Sequence, residues 1–214
     1  MLYPHSEATL AVLRRAPVIP VLTVKDIEDA LAQARALIAG GLTVLEITLR
    51  TPAAMAAVSV LAKTFPDACI GAGTIVEAEQ IEAAAKAGAA FLVSPGMAPG
   101  LVEAAVRSPV PLLPGAATAS EAMALRERGF RALKFFPAEP AGGAKYLSSL
   151  AGPLPDLIFC PTGGIDVVKA ATYLALANVA CVGGSWMVAP SLIEAQEFGK
   201  VEQLAREASA LGRR

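Results

Sequence analysis

A lysine set inside an apolar run is the residue of this sequence best placed for covalent chemistry. Lys134 lies in Ala132-Leu133-Lys134-Phe135-Phe136-Pro137, which reads as a buried strand, and lysine is rarely buried without a partner. Burial disfavours the ammonium form and exposes the amine as a nucleophile for carbonyl compounds. A lysine whose stem snorkels to solvent, or one held in a structural ion pair, is the competing reading. In a second run, Val44, Glu46, Thr48 and Arg50 alternate with Leu45, Ile47 and Leu49, so a carboxylate and a guanidinium share one strand face. A carboxylate there can move protons. The planar fork of Arg50 suits a substrate carboxylate held by two hydrogen bonds, or a salt bridge to a loop acid. Thr74 closes Gly71-Ala72-Gly73 and adds a hydroxyl. The third cluster is glycine: Thr162-Gly163-Gly164 and Gly183-Gly184-Ser185. Bare glycines let successive backbone N–H groups converge on an anion such as phosphate, although a tight turn explains either pair taken alone.

Composition narrows the chemistry further. With 214 residues, 55% of them hydrophobic and 17% charged, the chain can bury a large core and is not of the disordered class. A net charge of -1 provides no field for nucleic acid, and no basic run is interleaved with aromatics. Cys69, Cys160 and Cys181 lie in apolar runs without metal-ligand spacing. They read as buried free thiols in a reducing, cytoplasmic setting. His5 is the single histidine, so neither a histidine-based triad nor a multi-histidine metal site can be built; the expected metal complement is none. Glu7, Arg14 and Arg15 stand where an export signal would need its apolar segment. Residues 170–193 carry no charge, but Asn178, Gly183-Gly184 and Pro190 interrupt them. A helix followed by a buried strand explains that stretch better than a membrane span.

The elements that must position these groups repeat one theme: a short apolar run, a loop with glycine or proline, then an alanine-rich helix. Strands are expected at 18–24, 43–49, 68–73, 90–93, 110–114, 132–136, 157–160 and 179–182, the spacing of βα units. Asp26 caps a helix over Ile27–Ala39 that ends at Gly40-Gly41, and Ser120-Glu121 opens another that ends at Gly129. A helix over 6–15 precedes the first strand, and one long polar helix runs from about Pro190 to the C-terminus. Eight strands without a linker predict one domain over residues 1–214, a closed (β/α)8 TIM barrel with an extra N-terminal helix. A doubly wound open sheet is the alternative. In a barrel, chemistry gathers at the C-terminal strand ends, and Glu46 and Lys134 would point into one cavity. They would form either a structural ion pair or an imine-forming lysine with its proton shuttle.

Two segments, Gly41 through Arg50 (GLTVLEITLR) and Gly129 through Ala138 (GFRALKFFPA), resemble the signature segments of the KDPG/KHG aldolase family. These are class I aldolases for 2-keto-3-deoxy-6-phosphogluconate (KDPG) and 4-hydroxy-2-oxoglutarate (KHG). Gly71-Ala72-Gly73-Thr74, Ser94-Pro95-Gly96, Cys160-Pro161-Thr162-Gly163-Gly164 and Gly183-Gly184-Ser185-Trp186 follow in the family's order, while Gly115-Ala116-Ala117-Thr118 is blander than the family pattern. The resemblance spans nearly the whole chain. It implies a homotrimeric lyase of carbohydrate metabolism, in the Entner-Doudoroff pathway, that uses no cofactor and binds a small keto-acid phosphate. By motif position it implies Lys134 as the Schiff-base residue and Glu46 as the proton shuttle. Arg50, Thr74, Pro95, Phe136 and Thr162 would contact the substrate, and Gly163, Gly164, Gly184 and Ser185 its phosphate. The expected reaction is cleavage of KDPG to pyruvate and glyceraldehyde 3-phosphate, and of KHG to pyruvate and glyoxylate. The galactonate-series phosphate is an alternative substrate. A sugar-phosphate isomerase or epimerase, or a non-catalytic barrel, would be a different kind of protein.

Overall fold

The computed structural model describes residues 2–212. Helix α1 (Ser6–Leu13) leads into β1 (Val18–Leu22), α2 (Ile27–Ala39), β2 (Val44–Thr48), α3 (Ala54–Thr64), β3 (Cys69–Gly73), α4 (Ala78–Ala87), β4 (Phe91–Val93) and α5 (Pro99–Arg107). Two very short strands follow, β5 (Leu112–Leu113) and β6 (Gly115–Ala116), and then α6 (Ala119–Glu127), β7 (Ala132–Phe135) and α7 (Gly143–Ser149). The chain continues through β8 (Ile158–Pro161), α8 (Val167–Leu174) and β9 (Val182–Gly184) to a 3-10 turn (Trp186–Val188), α9 (Pro190–Glu194) and α10 (Phe198–Ser209).

Local chemistry sets most boundaries. Asp26 accepts the N–H of Asp29 at the start of α2. Helix α6 begins earlier than its expected opening at Ser120: Thr118 is the cap, in a reciprocal box with Glu121. The single long C-terminal helix also does not form. It is two helices, α9 and α10, separated where Gln196 takes a φ of +54°.

The closed eight-stranded TIM barrel expected from the sequence is overturned by the strand pairing. Six parallel strands form one sheet in the order β5-β4-β3-β2-β1-β9, and three form a second in the order β6-β7-β8. Prolines account for both seams, because proline has no ladder donor to offer. Pro114, the last residue of the strand expected at 110–114, stands between β5, which pairs with β4, and β6, an unexpected strand that pairs with β7. At the second seam β8 ends on Pro161, and among the described residues the backbone pairing there is reduced to the isolated bridges Phe159–Val179 and Thr162–Gly183.

Both sheets are sealed by helices. In β2 every residue is buried, with Leu45 and Ile47 at no exposure, and burying such a side chain contributes about 1.5–3 kcal/mol. Helix α10 seats against the end of α2, where a Cβ on Gly40 would come within 2.6 Å of the Glu202 carbonyl. Among the described residues no helix is long and apolar enough to cross a membrane.

Candidate active site

Strand β2 carries Glu46 in the larger sheet, and β7 carries Lys134 in the smaller one. The two side chains meet between the sheets: Lys134 Nζ donates to Glu46 Oε1 at 3.3 Å, with 5% and 4% of their side-chain surfaces exposed. The register explains why they fit. Glu46 lies opposite Gly71 and one pleat before Gly73, where a Cβ would overlap the Glu46 carboxylate. Lys134 lies opposite Gly115, whose missing side chain admits the Pro95 carbonyl. The Phe136 ring centroid is 5.1 Å from Nζ, a favourable face for a cation and an apolar wall for a small carbonyl compound. His5 donates to or accepts nothing here: its Nε2 is engaged with the Ser108 carbonyl at 2.8 Å.

Toward solvent on the same face of β2, Thr48 is wholly buried and donates to the Leu22 carbonyl at 2.8 Å, with Thr23 Oγ1 3.1 Å away. The next residue on that face, Arg50, is exposed, and its Nε donates to Thr74 Oγ1 at 3.2 Å. Among the described residues Arg50 takes part in no ion pair, so its guanidinium retains N–H groups for an incoming carboxylate. Thr74 holds a φ of +62°, a backbone state costly for a β-branched residue and concentrated at functional sites. On the opposite side Ser94 Oγ hydrogen-bonds the Gly96 carbonyl and shapes the turn that presents Pro95.

The glycine pairs lie at the seam between β8 and β9. Thr162 is buried, and its hydroxyl fills the space that a Cβ on Gly183 would need. Gly163 and Gly164 take φ values of +106° and +77°, which few side-chain-bearing residues tolerate. Gly184 is buried under the Trp186 ring, and Ser185 is exposed beside it. The structure thus brings Glu46 and Lys134 together, joins Arg50 to Thr74, and sets Thr162 against the Gly183-Gly184 pair.

Sequence reasoning missed a group behind the Gly163-Gly164 turn. Lys169 Nζ donates to the Gly164 carbonyl at 2.9 Å and pairs with Glu139 at 3.3 Å, and Tyr173 donates to Glu139 Oε1 at 2.6 Å. Burial, followed by the Glu139 acceptor and its charge, pushes the Tyr173 phenol far up and keeps it a neutral donor. The available signal was the spacing of Lys169 and Tyr173, one helical turn apart on α8.

Residues 10–204 match the family described as KDPG and KHG aldolase. The chain belongs to that family. It is 46% identical to the KHG/KDPG aldolase of Escherichia coli (strain K12) over 198 residues, 92% of this chain and 93% of that one. It is 47% identical to the 2-dehydro-3-deoxy-phosphogluconate aldolase of Pseudomonas aeruginosa, covering 91% of this chain and 89% of the relative. Among solved structures it superposes with a TM-score of 0.92 on the KDPG aldolase of Legionella pneumophila, at 46% identity over 94% of this chain and 98% of that one. That aldolase was captured with pyruvate as a covalent carbinolamine intermediate. Like these relatives, this aldolase-family chain is a lyase. The buried amine-carboxylate pair lies within the matched residues.

Proposed function

We propose that this single-domain protein cleaves KDPG to pyruvate and glyceraldehyde 3-phosphate through an imine on Lys134. The observation that carries the reading is the Lys134–Glu46 contact of 3.3 Å, closed off from solvent on both sides. The Lys134 amine attacks the C2 ketone, and a carboxylate at that distance can carry the protons exchanged in the steps that follow. Loss of water from the carbinolamine gives the imine. Its protonated nitrogen accepts the electron pair of the breaking C3–C4 bond while Glu46, through a water, takes the C4 hydroxyl proton and the aldehyde departs. The resulting enamine is protonated at C3 and hydrolysed to pyruvate, regenerating the amine.

Arg50 and Thr74 hold the substrate carboxylate so that C2 faces the amine; the free fork of Arg50, aligned by its bond to Thr74, supports this. Pro95 and Phe136 bound the pyruvate end, and Thr162 faces the hydroxyl-bearing chain. Gly163, Gly164, Gly184 and Ser185 receive the phosphate, with KHG as a second, unphosphorylated substrate. The protein works as a cytoplasmic homotrimer without a metal. Borohydride reduction in the presence of pyruvate, followed by peptide mapping, is the test. An N-carboxyethyl adduct on Lys134 is expected, and an adduct on another lysine, or none, overturns the mechanism.

A further inference from the structure

The Gly163-Gly164 turn is tied to a group of three side chains from outside it, Lys169, Glu139 and Tyr173. Lys169 ties the Gly164 carbonyl by its ammonium at 2.9 Å. Glu139 holds the other half of the turn, because its backbone N–H donates to the Gly163 carbonyl at 3.1 Å while its carboxylate pairs with Lys169 at 3.3 Å. Tyr173, 1% exposed, fixes that carboxylate by its hydroxyl at 2.6 Å. The fit is close: a Cβ on Gly164 would lie 2.9 Å from Glu139 Cγ. The charges also require the lysine. Asp166 sits 3.8 Å from Lys169 and spends its carboxylate on the N–H groups of Val168 and Lys169. Two carboxylates therefore flank one ammonium, beside a turn that must accept an anion. Without Lys169 the turn would lose an anchor, and the Glu139 charge would face the phosphate uncompensated.

We infer that Lys169, Glu139 and Tyr173 form a positioning clamp that holds the Gly163-Gly164 turn in its phosphate-accepting shape and thereby sets the preference for phosphorylated over unphosphorylated substrate. The inference rests on the phosphate assignment made above. The clamp acts at the far end of the substrate, on the α8 side of β8, whereas imine formation takes place at the Lys134–Glu46 pair. Its removal therefore acts on KM for KDPG and spares the chemistry on KHG.

The test is steady-state kinetics of Lys169→Met, Tyr173→Phe and the conservative Lys169→Arg on KDPG and KHG, with thermal melts of each variant. Lys169→Met is expected to lower kcat/KM for KDPG by about tenfold, the effect of one lost hydrogen bond to a charged group, mainly through KM. Tyr173→Phe should act in the same direction and more weakly. KHG kinetics and pyruvate trapping on Lys134 should stay within about twofold of the parent, and Lys169→Arg should recover most of the loss. Equal losses on both substrates, or no loss on KDPG in a parent that prefers it, overturn the clamp. A parent enzyme with no preference for KDPG over KHG would instead overturn the phosphate assignment itself.

Discussion

Replacing Glu46 with glutamine separates the two duties assigned to the buried pair. The substitution keeps volume and one acceptor oxygen, so the space admitted by Gly73 stays filled and Lys134 keeps a hydrogen-bond partner. What disappears is the negative charge 3.3 Å from the amine, in a pocket where each partner is about one-twentieth exposed. Losing a positioned proton shuttle of this kind lowers turnover by about 10²–10⁴-fold, equivalent to about 2.7–5.4 kcal/mol of transition-state stabilisation. Imine formation needs only the neutral amine. Borohydride trapping of pyruvate on Lys134 should therefore persist while release of pyruvate from KDPG collapses. The assay pairs stopped-time trapping, read by intact mass, with continuous measurement of pyruvate release. Turnover equal to the parent would remove Glu46 from the shuttle role. Loss of both signals in a protein with an unchanged melting temperature would show that the carboxylate is needed before the imine forms.

Other outcomes follow from the same geometry. Gly73→Ala places a methyl group on the Glu46 carboxylate; overpacking at such a site costs about 1–3 kcal/mol, measurable by denaturant unfolding, with activity falling further than stability. Arg50→Lys keeps the charge but loses the fork, and should raise KM for keto acids about tenfold or more with a smaller change in kcat, checked by steady-state kinetics. The N–H of Lys169, then its ammonium charge and the N–H of Val168, hold the Asp166 carboxyl below its usual range against a smaller opposing effect of burial. Its capping contribution is therefore present at neutral pH and is lost as pH falls through that lowered value. Asp166→Asn should flatten the acid limb of the stability–pH curve obtained by thermal melts. The hydrogen bond with Cys160 and then burial push the Cys181 thiol up, and burial does the same at Cys69. Native protein should resist a thiol reagent, and labelling should track unfolding; rapid labelling of the folded protein would contradict this packing.

The chemistry was more legible in the sequence than the closure of the sheet. Glu46 and Lys134 announced themselves because a charge inside an apolar strand run has few places to go, and period-2 alternation fixes which neighbours share its face. Arg50 followed from that alternation, and the pleat does set it against Thr74. The sheet break did not show because strand patterning reports burial, whereas closure depends on which N–H groups remain for the ladder. Pro114 ends one expected strand and Pro161 lies just past another, yet they stand at the two places where the sheets part. The C-terminal helices read as one because the positive φ of Gln196, which separates them, leaves no mark in composition. The group around Glu139 escaped for a different reason. Its members lie 30 and 34 positions along the chain from Glu139 to Lys169 and Tyr173, and only folding brings them together.

The division into two sheets means that neither half of the polypeptide owns the reaction. A cut between α5 and β5 would leave Glu46, Arg50 and Thr74 on one fragment and Lys134 with every proposed phosphate contact on the other. The fragments would still be complementary at both margins, since β5 pairs with β4 and β9 pairs with β1 across the cut. Aldol cleavage would then appear only on reassembly, which makes the protein a natural two-piece reporter whose signal is the meeting of an amine and a carboxylate.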